Sequence, residues 1–314
     1  MKLIRNRILF LLFISFSFSL EYTEYGFEIF SLPGDAKTQS LGGASNINSM
    51  SLVDLYTLDN YHRKGKSLFS YAKLYNDIID YFQFSYILSS YDKSKIGISL
   101  LNKNISNISN TQLAWEDLGF NISQNDIDYD KITTYKDIQI SLIFFYSYNA
   151  SFGNIGLKVK PIYTSLLSEK AYGVSADIGF NKKYMNKIYY GFMINDIMSF
   201  YKWNNNQTYF IYPKLNSSFS YILNKSSLYT EISISTNPKS INPYTYRVGY
   251  QYLMNNTLSI RLGYSNIKSF SIGAGFIYKD IEYSYSFNAN LNDIILGHDH
   301  QFSILLDLEK NKSN

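Results

Sequence analysis

Between residues 243 and 289 the chain alternates large apolar side chains with small or charged ones at a period of two. Tyr244, Tyr246, Val248, Tyr250 and Tyr252 alternate with Thr245, Arg247, Gly249 and Gln251, and Leu258, Ile260, Leu262 and Tyr264 with Ser259, Arg261, Gly263 and Ser265. Phe270, Ile272, Ala274 and Phe276 then oppose Ser271, Gly273 and Gly275, and Ile281, Tyr283, Tyr285 and Phe287 oppose Glu282, Ser284, Ser286 and Asn288. Successive side chains of a β-strand point to opposite faces, so this is a four-strand meander with one greasy and one polar face. The same test predicts fourteen strands, at 67–75, 79–88, 95–103, 137–149, 153–166, 172–182, 187–196, 212–223, 226–235, 243–253, 257–265, 269–278, 281–289 and 298–308. Most exceed the usual soluble strand and are long enough to cross a bilayer at a tilt.

The connections add an independent signal. Those after even-numbered strands are mostly tight, as at 149–152, 183–186, 224–225, 254–256 and 279–280, whereas those after odd-numbered strands include the long ones, 104–136, 197–211, 236–242 and 290–297. Short turns at one rim and long loops at the other are the pattern of an outer-membrane barrel. The sequence therefore predicts an all-β fold: a transmembrane antiparallel up-and-down β-barrel of about 14 strands, with an N-terminal segment in the lumen. A Lys or Arg facing lipid at mid-depth costs roughly 2–4 kcal/mol, so Glu231, Arg247, Arg261 and Glu282 are expected to face inward. A secreted sandwich or calyx explains the alternation, but not the long strands, the aromatic outer face and the loop asymmetry together.

Composition sharpens the picture. The 314 residues include 31 Tyr and 22 Phe, far more rings than an ordinary soluble domain carries, and no Cys, which excludes disulfides and thiolate metal sites. Lys2, Arg5 and Arg7 precede the apolar run ILFLLFISFSF, which reads as a secretory signal peptide over residues 1–19. Those three account for most of the formal +4: without them 26 basic residues face 25 acidic ones, about +1, which excludes nucleic acid as a partner. The expected organisation is then a lumen or plug segment at 20–66, a barrel at 67–309 and a C-terminal tail at 310–314.

The run AYGVSADIGFNKKYMNKIYYGFMINDI, residues 171–197, resembles a block of the PorV/PorQ family of outer-membrane proteins, through Gly173, Asp177, Gly179 and Asn195. The late strands are similar to that family's, with Arg261 and Gly263 in its Arg-x-Gly-Tyr-like position, LGHDHQFSIL resembles its last strand, and SLGGASNI its Gly-Gly-Ala element, here Gly42, Gly43 and Ala44. The chain departs from the family in lacking the Asn-Pro-Ala turn after Gly-Gly-Ala, and in continuing as EKNKSN past the last strand. The resemblance implies a fourteen-stranded barrel of the FadL-like superfamily in the bacterial outer membrane. It further implies a role in protein secretion of the type IX kind, with secretion-system proteins or secreted cargo held by extracellular loops, or a structural role in the envelope through those loops; the alternative is FadL-like transport of hydrophobic small molecules across the outer membrane. Outer-membrane lipid is the surrounding partner in both cases.

Enzyme chemistry finds little footing. His298 and His300 lie on one face of a strand and can supply two metal ligands, but Asp299 points the other way, and loop-edge histidines at a barrel rim are the plainer reading. No nucleophile elbow, phosphate loop or His-Glu zinc motif occurs. The sequence thus predicts no enzyme, no cofactor, no catalytic residue and no metal site. Tyr189, Tyr190, Tyr201, Trp203, Tyr209 and Tyr212 read as an interfacial girdle, and Asp126, Asp128 and Asp130 as a solvated acidic loop without the Gly and Glu of a calcium loop.

Overall fold

The computed structural model describes residues 22–23, 27–45, 49–59, 61–114, 127–185, 187–240, 242–267, 269–291 and 297–308. The predicted signal peptide, Asp126 and the C-terminal tail lie outside them. After a two-residue strand, β1 (Tyr22–Thr23), the wall begins with β2 (Lys66–Leu74), β3 (Ile79–Ser90), β4 (Ser94–Asn110), β5 (Thr133–Ala150), β6 (Gly153–Leu166), β7 (Glu169–Tyr184) and β8 (Ile188–Asn195). A small hairpin, β9 (Phe200–Trp203) and β10 (Thr208–Ile211), interrupts it. The wall resumes as β11 (Lys214–Ile222), β12 (Ser226–Ser235), β13 (Tyr244–Leu253), β14 (Leu258–Ser265), β15 (Ser269–Tyr278), β16 (Ile281–Asn290) and β17 (His298–Asp307).

Each wall strand pairs antiparallel with the next. β8 pairs with β11 across the hairpin, from Lys214↔Asn195 to Tyr221↔Ile188, and β17 pairs with β2, from His300↔Lys73 to Asp307↔Lys66. The result is a closed antiparallel barrel of 14 strands with no free edge in its wall. All fourteen predicted strands are present. The loop expected at 104–136 is shorter than the sequence suggested, because β4 runs on to Asn110 and β5 starts at Thr133, with a register shift between Ile105 and Ile108. The loop expected at 197–211 contains β9 and β10, four-residue strands too short to show a period. The Lys279–Asp280 turn has φ of 48° and 67°, both left-handed, which matches the twist of a two-residue hairpin.

Alternation has its expected physical form. Leu262 is 41% exposed on the outer face while its neighbour Arg261 is 1% exposed on the inner one. Phe270, Ile272, Phe276, Tyr246 and Tyr285 share the outer face with Leu262. The described residues of the stretch between 27 and 62 pack against the inner face. The short helix α1 (Ala36–Ser40) is capped by the Asp35 carboxylate, which accepts from Thr38 N at 2.6 Å and from Ser49 Oγ at 2.6 Å. Gly42 and Gly43, with φ of 72° and 78°, then turn the chain back in a conformation that favours glycine. The backbone of this turn rests on Gly263, where an added Cβ would collide with Gly42 N. Farther round the wall, Gly179 does the same for the Tyr56 carbonyl. Inward glycines thus admit the main chain of the lumen segment where any side chain would hold it off.

Candidate functional site

Three buried charge clusters tie the lumen segment to the wall. In the first, Arg261 donates to Gln251 Oε1 at 3.1 Å, Ser284 Oγ at 3.1 Å and Glu282 Oε1 at 3.0 Å, and Lys37 of α1 lies 3.5 Å from the same carboxylate oxygen. In the second, Arg247 pairs with Glu231 at 2.6 Å, and Glu231 also accepts from the Tyr56 hydroxyl at 3.0 Å and Ser45 N at 3.1 Å. The four charges singled out in the sequence therefore form two ion pairs, each joined by a residue of the lumen segment. An ion in a low-dielectric interior needs such a partner and further hydrogen bonds to offset its desolvation.

The third cluster was not anticipated. Lys160 on β6 lies 2.6 Å from Asp177 and 3.1 Å from Asp196, Asp196 N donates to Asp177 Oδ1 at 3.0 Å, and Ser175 Oγ donates to Asp196 at 2.6 Å. Lys158 donates to the Val53 carbonyl at 2.7 Å, and the Lys160 ammonium sits 4.4 Å over the Phe30 ring. Both lysines follow the inward period set by Gly156, and two lysines two residues apart within a strand were the overlooked signal.

This cluster marks a break in the wall. β8 ends at Asn195, Asp196 takes a left-handed φ of 60°, and the chain leaves the ring to form β9 and β10. Above the break β7 pairs with β9 through Ala171–Val174, instead of with β8, and β1 runs parallel along β10. Gly173 lets β9 approach, since a Cβ there would meet the Tyr201 side chain and the Phe200 carbonyl. Inside the break lies an aromatic group: Phe27 to Phe30 at 5.6 Å, Phe27 to Tyr201 at 5.9 Å, and Tyr201 to Trp203 and Tyr209 at 5.8 and 5.5 Å. Tyr201, expected in an interfacial girdle, is instead buried against Phe27, because the hairpin folds its inner face onto the lumen segment.

Above the lumen segment is a cavity of about 620 Å³. Its floor includes Val53, Asp54, Tyr56, Gly42 and Gly43, and Phe30, Leu32, Met193 and Ile211 give it an apolar side toward the break. Asp54 accepts from Gly34 N at 3.0 Å. Enclosure by protein, reinforced by the Asp35 charge, raises its pKa to about 7 against the weaker pull of Ser51, Gly34 N and Lys158. Of the motif positions, Gly42, Gly43, Gly263, Gly173 and Gly179 are docking points, Ala44 is buried, Asp177 belongs to the third cluster, and Asn195 accepts from Asn216 at 2.8 Å. His298 and His300 are exposed on the outer face, His300 against the Tyr285 hydroxyl at 2.7 Å, while Asp299 turns inward to Tyr75 N and Asn288. Among the described residues no group of three or more His, Asp or Glu is placed to hold a metal ion, and no helix is long and apolar enough to cross a membrane.

The described residues thus form a closed fourteen-strand barrel with an apolar exterior and an internally packed N-terminal segment, a fold shared with solved barrels. Among them the chain is similar over nearly its whole length to the P. putida toluene transporter TodX, at 12% identity, covering 87% of this chain and 97% of that one with a TM-score of 0.60. It is likewise similar to the CymD monoaromatic hydrocarbon channel, at 10% identity, 89% and 97% coverage and a TM-score of 0.54. A Pseudomonas aeruginosa FadL homologue follows at 11% identity, 87% and 98% coverage and a TM-score of 0.53. No family model matches the sequence, and no curated protein matches it. The likeness is therefore one of fold: it agrees with the FadL-like part of the resemblance read from the motifs and lends nothing to the narrower PorV/PorQ part.

Proposed function

We propose that the protein is a bacterial outer-membrane transporter for hydrophobic small molecules, with the N-terminal segment 20–66 as its plug. The observation that carries this reading is the junction at Asp196: Phe30 on the apolar side of the cavity packs on Phe27, and Phe27 on Tyr201, beside the place where β8 breaks off and the chain leaves the wall. An apolar solute entering from the loop side meets the Phe30, Met193 and Ile211 side chains beside the Lys160–Asp196 pair, and transfer out of water stabilises it by about 25 cal/mol per Å² of apolar surface buried. The apolar outer face supports the membrane location, and the solved barrels of the same fold support the transport role. In this reading no residue has a catalytic task, and the three charge clusters hold the plug.

One observation favours the other reading, an envelope protein that holds secretion-system proteins or secreted cargo by its extracellular loops. The lumen segment packs main chain against wall glycines at Gly263 and Gly179, which closes those parts of the lumen. The two are separated by uptake. Cells with the protein in the outer membrane should take up a labelled monoaromatic hydrocarbon faster than cells without it, and a Phe27→Ala/Tyr201→Ala variant should change that rate. Uptake indifferent to the protein, together with co-purification of secretion components from the native envelope, would establish the second reading instead.

A further inference from the structure

The cavity has two chemistries. The lumen segment and the hairpin supply its apolar side, but the inward ends of the wall strands supply amides and hydroxyls: Asn195 on β8, Asn216 on β11, Ser233 on β12, Thr245 on β13, and Ser271 and Asn288 on β15 and β16. Bare hydrocarbon has no use for such a wall. Asn216 Nδ2 donates to Asn195 Oδ1 at 2.8 Å, and Ser271 Oγ donates to Asn288 Oδ1 at 2.8 Å. Asn288 Nδ2 also donates to Asp299 at 2.8 Å, but each primary amide carries two N–H donors and two acceptor lone pairs, so these bonds use only part of the hydrogen-bonding capacity of the lining amides.

Charge decides what kind of head group suits it. Five acidic side chains line the cavity against two basic ones, Lys214 and Arg247. Arg247 is already committed to Glu231 at 2.6 Å and Ser233 at 2.9 Å. Asp196 is balanced by Lys160, Glu231 by Arg247 and Asp54 in part by its raised pKa, so an entering carboxylate would still face Glu28 and Asp299, with Lys214, exposed and 3.4 Å from Ser31 Oγ, as the cation outside an ion pair. An uncharged head group meets no such repulsion, and hydroxyls match alternating amide oxygens and N–H groups because each both donates and accepts.

We propose that this cavity binds an amphiphile with an uncharged polyhydroxyl head, of the alkyl glycoside class, its head on the amide wall and its tail toward Phe30, Met193 and Ile211. The proposal rests on the transport reading and narrows its substrate from hydrophobic compounds in general to neutral glycoside-headed ones.

The test uses the full-length mature protein in lipid nanodiscs, titrated calorimetrically with n-octyl glucoside, octanoate and octane, with empty nanodiscs subtracted. The glucoside should bind at least fivefold more tightly than octanoate. Asn216→Leu and Asn288→Leu, each removing hydrogen bonds to the head, should weaken glucoside binding by about fivefold and leave octane within twofold. The heat-dependent gel shift of a folded barrel serves as the check that each variant has assembled. Tighter binding of octanoate, or equal weakening of all three ligands by the two variants, would overturn the proposal while leaving the transport reading in place. Absence of octane binding along with the others would remove both.

Discussion

The Lys160 cluster offers the sharpest test of how the lumen segment is held. Lys160 is 2% exposed and lies 2.6 Å from Asp177 and 3.1 Å from Asp196. Lys160→Met keeps most of the side-chain volume but strands two carboxylates in the interior, leaving Lys158, 3.9 Å from Asp177, as the nearby cation. Breaking a buried ion pair from one side costs about 3–5 kcal/mol, because the remaining charge has lost its partner but not its desolvation. The second substitution Asp196→Asn removes one stranded charge and keeps its hydrogen bond from Ser175 possible. Lys160→Met/Asp196→Asn should therefore recover more than half of the loss. The assay is urea unfolding of protein refolded into lipid vesicles, followed by tryptophan fluorescence, since Trp203 sits in the aromatic group beside the break. Lys160→Arg, which keeps the charge, provides a folded reference if the methionine variant fails to assemble. A methionine variant within about 1 kcal/mol of wild type, or a double variant no more stable than the single, would refute the view that this cluster is a paired interior network.

Other consequences follow from the same geometry. Gly263→Val should push the Leu41–Gly43 turn off the wall at a cost of about 1–3 kcal/mol in the same unfolding assay. Because the pKa of Asp54 is raised to about 7, its ionisation opposes docking: plug attachment is strongest near pH 4 and weakens as pH climbs toward 7. A cysteine placed at Ser45, unique in a chain without Cys, should gain more maleimide reactivity between pH 5 and pH 8 than free cysteine gains through thiol ionisation alone, and Asp54→Asn should bring the profile back to that of free cysteine. Glu282→Gln should destabilise the barrel less than Arg261→Met, since Arg261 keeps Gln251 and Ser284 in the first case, while Glu282 in the second keeps only Lys37, at 3.5 Å, as a cation; comparable unfolding midpoints would contradict this.

The sequence by itself determined the wall. Alternation is a local property of an extended chain: once one face must be apolar and the other wet, strand position, strand face and the inward direction of Arg261 and Glu282 are all set by period two. The same logic located the short turns and the rim with long loops. Where the period failed, so did the reading: β9 and β10 are four residues long, and Tyr201 changed from a girdle residue to an interior one because the hairpin leaves the ring. What fills the barrel was decided by tertiary structure alone. Ala36 N bonds Ser303 Oγ across 267 residues, and Ile29 N bonds Gln139 across 110. Lys160 meets Asp196 only because β6, β7 and the end of β8 lie side by side. Contacts of that span carry no periodic trace in the chain, since they depend on ring closure bringing inward faces around one enclosed segment.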